Sequence, residues 1–306
     1  MTHHIRQGIG VKSPYGDHLL LDIRHLGEHH IKTKLREVEE ICNYFLGVDP
    51  ITQLIPVRPA QHYTMAGIRT NKDGAAYGLK GLFSAGEAAC WDMHGLNRLG
   101  GNSLAETVVA GKIVGEKIVE FLEGYEVQYN TGVIRDGVIR QQERIDDFIS
   151  GKNGNENVYE IRNAMQDELM ERVGIFRNGS DLQKAVDNLQ EIHARSQQVG
   201  LRSNGIGVNP ELTLALKIQG MVKLALCTAY GALQRTESRG CHAREDYEAR
   251  NDRDWWNRTL ATWKEGDDLP TLNYEPATET VELPPAERGY GVCKIISCDG
   301  EVIGEE

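Results

Sequence analysis

Apolar residues recur at steps of three and four through the second half of the chain. Val158, Ile161, Met165, Leu169 and Val173 form one stripe, and Leu182, Val186, Leu189 and Ile192 form a second. This is the spacing of helices that turn one face to a core. Asn209-Pro210-Glu211 places a capping side chain ahead of a proline at the first helical position, and a more apolar helix runs on through Met221, Ala225 and Leu226. The stretch from about 130 to 238 therefore predicts an antiparallel bundle with one buried member. Its stripes are core, and no chemistry is assigned to them.

The first half carries shorter patterns. HLLLDIRHL predicts a short buried strand, and Leu35, Val38, Ile41 and Phe45 predict a helix over Lys32 to Phe45. Lys80 to Ala85, KGLFSA, is a glycine-bounded apolar run of the kind that forms a buried parallel strand, with Glu87 at its carboxyl end. After a glycine loop, Ser103 stands three residues before Glu106, the spacing of a capping box. The helix so opened has apolar faces from Leu104, Val108, Ile113 and Ile118, while Ala105, Ala110, Gly111 and Gly115 keep it slim. Further on, Trp255, Trp256 and Trp263 read as anchors of the last segment, ahead of a proline-bearing acidic tail.

Charge and composition narrow the function classes. With 34 basic and 45 acidic residues the net charge is -11, which argues against a nucleic-acid surface. Apolar residues at 40% and charged residues at 26% are those of a soluble globular protein, and no apolar run approaches the ~18 residues that would span a bilayer. Any membrane association is expected through a partner. The start MTHHIRQG lacks the apolar core of a signal peptide and reads as an internal start. Cys42, Cys90, Cys227, Cys241, Cys293 and Cys298 lie far apart apart from the last two, as expected of reduced thiols. Six of the ten histidines fall before residue 31, without the HxxxH or HExxH spacing of metal ligands, so no metal is expected.

Candidate chemistry concentrates between His62 and Glu106. A strand ending in an acid, then a glycine loop and a helix start, suits a nucleotide or flavin: the carboxylate takes hydrogen bonds from hydroxyls, and free N–H groups face electronegative atoms. A plain strand-turn-helix with Glu87 at the surface is the other reading. Arg98, between HGLN and LGGNS, presents a permanent cation whose fork can grip a carboxylate twice. His62 is either a structural histidine or the second member of that clamp. GIGVKS at Gly8 and GIGVNP at Gly205 each lack the third glycine of the dinucleotide fingerprint.

These residues resemble the flavoprotein subunit of fumarate reductase and succinate dehydrogenase. RPAQHYTMAGI, GLFSAGEAACWDMHGLNRLGGNSLAE, ESRGCHARED and NRTLATW match that family's blocks in order, and DMHGLNRLGGNS and the RGYG near the end favour the fumarate reductase branch. The resemblance implies the carboxyl-terminal half of the subunit, with an α/β plus all-α fold. It implies the end of a capping domain (1–55), the last strand-helix part of a Rossmann-like FAD-binding domain (56–125), an antiparallel helical domain (126–263) and a small terminal domain (264–306). It also implies FAD as cofactor and hydride transfer between fumarate and succinate. His62 and Arg98 would bind the dicarboxylate; His62, Tyr63, Glu87, Arg98, Ser103 and Leu104 would line the FAD. No catalytic residue is assigned, because the family's proton-donating arginine is expected upstream of Met1, and the chain alone is expected to be inactive. An iron-sulfur subunit and, through it, a membrane anchor would be partners, at the cytoplasmic face of the inner membrane. The alternatives are a succinate dehydrogenase or aspartate oxidase relative, or a non-catalytic fragment serving assembly. Glu237, Arg239, His242 and Arg244 of ESRGCHAR read as a structural ion-pair network.

Overall fold

The computed structural model describes residues 1–125, 130–203, 205 and 207–277, and the backbone of 294–296 and 302–305. Cys293, Cys298 and the RGYG segment lie outside the described residues. The chain divides into two compact units, Met1–His62 and Tyr63–Glu306.

The first unit begins with a short helix, α1 (Thr2–Arg6), and a strand, β1 (Leu19–Leu21). β1 pairs antiparallel with β2 (Ile55–Val57), Leu20 opposite Pro56. The buried strand expected in HLLLDIRHL is thus only three residues long, and Leu20 and Leu21 are exposed. It has a single partner strand, β2, on which Ile55 is buried. The helix expected over Lys32 to Phe45 is broken. Leu35 leaves the helical region at φ -122°, ψ 29°, separating α2 (Glu28–Lys34) from α3 (Arg36–Ile41), and a π-helical turn follows over Cys42–Leu46. That break shifts the phase of the stripe. Ile31 and Cys42 turn inward, whereas Val38 and Ile41 face out and Phe45 is 81% exposed.

The second unit opens with two strands, β3 (Ile68–Arg69) and β4 (Ala89–Cys90), paired in parallel. KGLFSA is not the parallel strand. It folds back on residues 74–76, with Phe83 bridged antiparallel to Ala75 and the Ser84 N–H donating to the Gly74 carbonyl at 2.9 Å. β4 comes after Glu87, so Glu87 sits in a 3-10 turn (Gly86–Ala88) at the amino end of a strand and not at the carboxyl end expected.

Helix α4 (Asn102–Glu123) follows. Its amino cap is Gly101, left-handed at φ 82°, and no side chain caps it. Ser103 is therefore inside the first turn and the capping box does not form. Glu106, Ala110 and Val114 make the buried row at i, i+4 and i+8, while Leu104 and Val108 point outward. Gly111 and Gly115 are exposed, with no close neighbour that a side chain would meet.

The helical region matches its sequence pattern closely. It comprises α5 (Thr131–Ile149), α6 (Val158–Arg172), α7 (Gly179–Ser196) and α8 (Pro210–Gln234), with short parallel ladders joining β5 (Glu156–Asn157) to β7 (Val199–Gly200) and β6 (Phe176–Arg177) to β8 (Ala243–Arg244). Each of these helices starts on an asparagine whose side chain accepts a backbone N–H: Asn130, Asn157, Asn178 and Asn209. That satisfies a donor that the first helical turn otherwise leaves free. Val158, Ile161, Met165, Leu182, Val186, Leu189 and Ile192 close on Ile218, Val222 and Leu226 of α8 in one core.

By length and composition α8 could cross a membrane. Its residues from Ala215 to Ala232 line the core at every helical turn, and Lys217 and Lys223 interrupt it, so it reads as a core helix. A short helix, α9 (Asp252–Trp255), leads into a hairpin of β9 (Asn257–Thr262) and β10 (Thr271–Pro276), and β11 (Lys294–Ile296) pairs antiparallel with β12 (Val302–Glu305). The tryptophans anchor this region as expected. Trp255 donates to Thr236 Oγ1 at 3.1 Å and meets Tyr274 edge-on, and Trp263 packs on the core beside His193.

Candidate functional site

Three segments of the second unit converge on one buried carboxylate. Glu106, 4% exposed on the inner row of α4, accepts the Tyr63 hydroxyl on Oε2 at 2.7 Å and the Trp91 indole N–H on Oε1 at 3.1 Å. His94 Nε2 lies 2.8 Å from Oε2. Burial alone would raise the Glu106 carboxyl, yet the donors from Tyr63, His94 and Trp91 outweigh it and the group titrates below its ordinary value. An ionised carboxylate only accepts, so His94 must donate from Nε2. The same contacts act on Tyr63 in reverse. Burial and the bond to Glu106 push its phenol up to about 12, keeping it a neutral donor.

Arg98 rests on this cluster. Its guanidinium lies 4.9 Å from the centroid of the Tyr63 ring, and Nη1 donates to the Leu99 carbonyl at 3.2 Å. Its Nε is buried without a hydrogen-bond partner among the described residues, and no carboxylate there pairs with the cation. A guanidinium is a permanent cation, and its stacking on an aromatic face uses none of its N–H donors.

Arg98 also sits two residues past a buttress. Gly240, left-handed at φ 58°, approaches Leu96 so closely that an added Cβ would lie 3.0 Å from its carbonyl carbon, and the Cys241 N–H donates to the Leu96 carbonyl at 3.2 Å. Behind this contact stands the cluster expected from ESRGCHAR. Glu237, fully buried, binds Arg235 at 2.6 Å and Arg239 at 2.8 and 2.9 Å, and Arg239 reaches Asp252. His242 Nδ1 lies 2.6 Å from Arg177 Nη1, which can only donate, so Nδ1 accepts and Nε2–H donates to the Arg235 carbonyl at 3.0 Å. Burial, together with Arg177, Arg244 and Arg235, lowers His242 to about 4.

The other sequence candidates fall as follows. Glu87 is exposed, and its Oε1 accepts the Thr64 N–H at 2.8 Å. Ser103 is half-buried in the uncapped first turn of α4, and Leu104 beside it is 76% exposed. His62 is exposed at the end of the first unit. Tyr63 and Arg98 are therefore in contact, and Ser103 and Leu104 open the helix that also carries Glu106. Sequence reasoning missed Glu106, Trp91 and His94 as one cluster, because Glu106 at capping-box spacing had a ready local explanation. It also missed Asp92, a left-handed non-glycine residue at φ 70° that bridges Arg69 and Arg258 at 3.1 and 3.0 Å. Among the described residues no group of three or more metal-ligating side chains assembles.

Residues 1–104 match an FAD-binding domain family, and residues 162–290 match the family described as fumarate reductase flavoprotein C-term. The two matches define a mixed α/β flavoprotein that joins part of an FAD-binding domain to a helical domain. The chain is 43% identical to the fumarate reductase flavoprotein subunit of Helicobacter pylori, covering 95% of this chain and 44% of that one. It is 35% identical to the succinate dehydrogenase flavoprotein subunit of Rickettsia bellii, covering 95% and 50%. A solved structure of E. coli quinol fumarate reductase superposes with a TM-score of 0.84 at 35% identity, over 94% of this chain and 48% of that one. The chain belongs to the fumarate reductase/succinate dehydrogenase flavoprotein family and corresponds to its carboxyl-terminal portion. It spans about half the length of the relatives it matches.

Proposed function

We propose that this chain supplies the dicarboxylate clamp and one wall of the flavin pocket in an FAD-dependent enzyme that interconverts fumarate and succinate. The observation that carries this reading is Arg98, a cation on the Tyr63 ring that pairs with no carboxylate among the described residues. Within the subunit we place residues 1–55 at the end of the capping domain, 56–125 in the FAD-binding domain, 126–263 in the helical domain and 264–306 in a small terminal domain.

The residues present suit a flavin. The uncapped N–H groups at Ser103 and Leu104 offer donors to the electronegative edge of an isoalloxazine ring, and the exposed Leu104 side chain offers an apolar contact. Glu87, exposed beside the Thr64 backbone, is suited to ribityl hydroxyls, and Tyr63 completes this wall. Bound FAD would supply the hydride for one alkene carbon of fumarate or receive it from succinate. Arg98 holds one carboxylate by paired charge-assisted hydrogen bonds, so the double bond is oriented and polarised. Arg98 is assigned to clamping and not to proton delivery. The assembled subunit would exchange electrons with a membrane anchor through an iron-sulfur subunit, lying peripherally at the cytoplasmic face of the inner membrane.

The test is binding of malonate, a non-reacting dicarboxylate, to the FAD-loaded subunit, followed by the visible flavin spectrum. Arg98→Lys keeps the charge but loses the fork, and is expected to weaken malonate at least tenfold with flavin content unchanged. Equal affinity in the variant would remove the clamp.

A further inference from the structure

We propose that Glu106 is a positioning residue for the dicarboxylate site: it holds the Tyr63 ring as the platform on which the Arg98 guanidinium is stacked. The inference rests on the assignment of Arg98 to the clamp and adds a residue with no contact to substrate.

The geometry gives Tyr63 two jobs that depend on one orientation. Its hydroxyl donates to Glu106 Oε2 at 2.7 Å, and its face meets Arg98 at 4.9 Å. A tyrosine ring has two torsions, and a short bond at the far end of the phenol fixes both, so the plane under Arg98 is set by where Glu106 stands. His94 takes the same Oε2 at 2.8 Å and meets the Tyr63 ring edge-on, with centroids 6.3 Å apart, closing the side from which the ring could tip. Electrostatics add to geometry. A phenol donating to a carboxylate carries more negative charge on its ring, which strengthens the attraction for a cation on its face.

Glu106 does this without neutralising the arginine. A carboxylate placed directly against Arg98 would satisfy the donors that a substrate needs. One placed behind the ring, spending its lone pairs on Tyr63, His94 and Trp91, steadies the cation without pairing with it. Two features of the helix make this possible: Gly101 starts α4 without a side-chain cap, and the i, i+4 row of Glu106 and Ala110 faces inward.

Trp91 separates positioning from plain structural support. It donates to Oε1 of the same carboxylate at 3.1 Å, and no contact joins its ring to Arg98 among the described residues. A carboxylate that merely stabilised the fold would be equally sensitive to losing Trp91 or Tyr63 as a donor.

The experiment compares Glu106→Gln, Tyr63→Phe, the double variant and Trp91→Phe in the FAD-loaded subunit. Malonate affinity and the Arg98 Nε–H signal in nitrogen-15 NMR are the readouts; that signal is displaced by the ring current of an aromatic face beneath it. Glu106→Gln and Tyr63→Phe are each expected to weaken malonate roughly fivefold to tenfold, the value of one lost hydrogen bond. Both should move the Arg98 signal towards its unstacked position. The double variant should be no worse than the more affected single one, because both changes cut the same link. Trp91→Phe should leave malonate affinity within about twofold.

Unchanged affinity and an unmoved Arg98 signal in Glu106→Gln would overturn the proposal, as would a loss with Trp91→Phe equal to that with Tyr63→Phe. If Glu106→Gln fails to fold, Tyr63→Phe, which leaves the carboxylate and the ring in place, decides alone by the same two readouts. Arg98→Lys run alongside separates the two assignments. Full malonate affinity there removes the clamp itself, whereas a loss there with none in Tyr63→Phe removes only the role of Glu106.

Discussion

Two buried carboxylates in the second unit are satisfied by opposite means. Glu237 is surrounded by Arg235 and Arg239 and also accepts the Asn251 N–H at 2.9 Å, so charge meets charge inside the protein. Glu106 takes the hydroxyl of Tyr63, the indole of Trp91 and the imidazole of His94, and the nearby arginine is kept off it. The arginines of the first cluster are consumed by the fold, whereas Arg98 is supported and left open. A cation with an internal carboxylate is a structural element; a cation held on an aromatic face is the one we propose for the ligand.

The largest effect expected from breaking this contrast is on the charged side. Glu237→Ala leaves Arg235 without an acid in a buried site beside Arg239, which keeps only Asp252 among the described residues, and is expected to cost about 4 kcal/mol in urea unfolding. A cost near that of a surface pair would mean that water already screens the cluster. Arg98→Ala should do the reverse. Dicarboxylate affinity falls by about two orders of magnitude, the value of two charge-assisted bonds, while the unfolding midpoint stays within error, because Arg98 pairs with no acid among the described residues.

A third test uses pH. His242 is needed neutral, accepting from Arg177, and its folded value of about 4 lies below the ordinary 6.5. The unfolded chain then binds the proton first as pH falls. The contribution is full above 6.5, declines between 6.5 and about 4, and amounts to a loss of about 2 kcal/mol at pH 5 relative to pH 7. His242→Gln should flatten that part of the stability curve. The smallest effect belongs to the Glu106 cluster. Tyr63→Phe removes one of three donors from Glu106 and should cost about 1 kcal/mol in unfolding, well below the loss at Glu237.

The sequence was most legible where interactions are local. The stripes of α6 and α7 and the Asn209 cap of α8 depend on residues three or four apart, and all of them hold. It was least legible where a short pattern had a local meaning that distant residues overrode. Ser103 and Glu106 have capping-box spacing, but Gly101 takes the cap and Glu106 turns inward to donors 43, 15 and 12 residues away in the chain. KGLFSA has the composition of a parallel strand, yet β4 begins only after Glu87, because the apolar run folds back on Ala75. In the first unit the helical stripe from Leu35 to Phe45 is undone by one residue leaving helical geometry.

By itself the sequence determined the helical bundle, its asparagine starts and the motif blocks that place the chain in its flavoprotein family, since each is written in residue types at short, regular spacing. Tertiary structure decided which donors each buried acid meets, and that Arg98 pairs with no carboxylate among the described residues. Glu106, Glu237 and Arg98 are ordinary charged residues in the chain, and the difference among them is made by which side chains burial brings within 3 Å of each carboxylate. No periodicity records that, because the partners arrive from separate segments whose meeting is set only when the strands, the loop and α4 pack together.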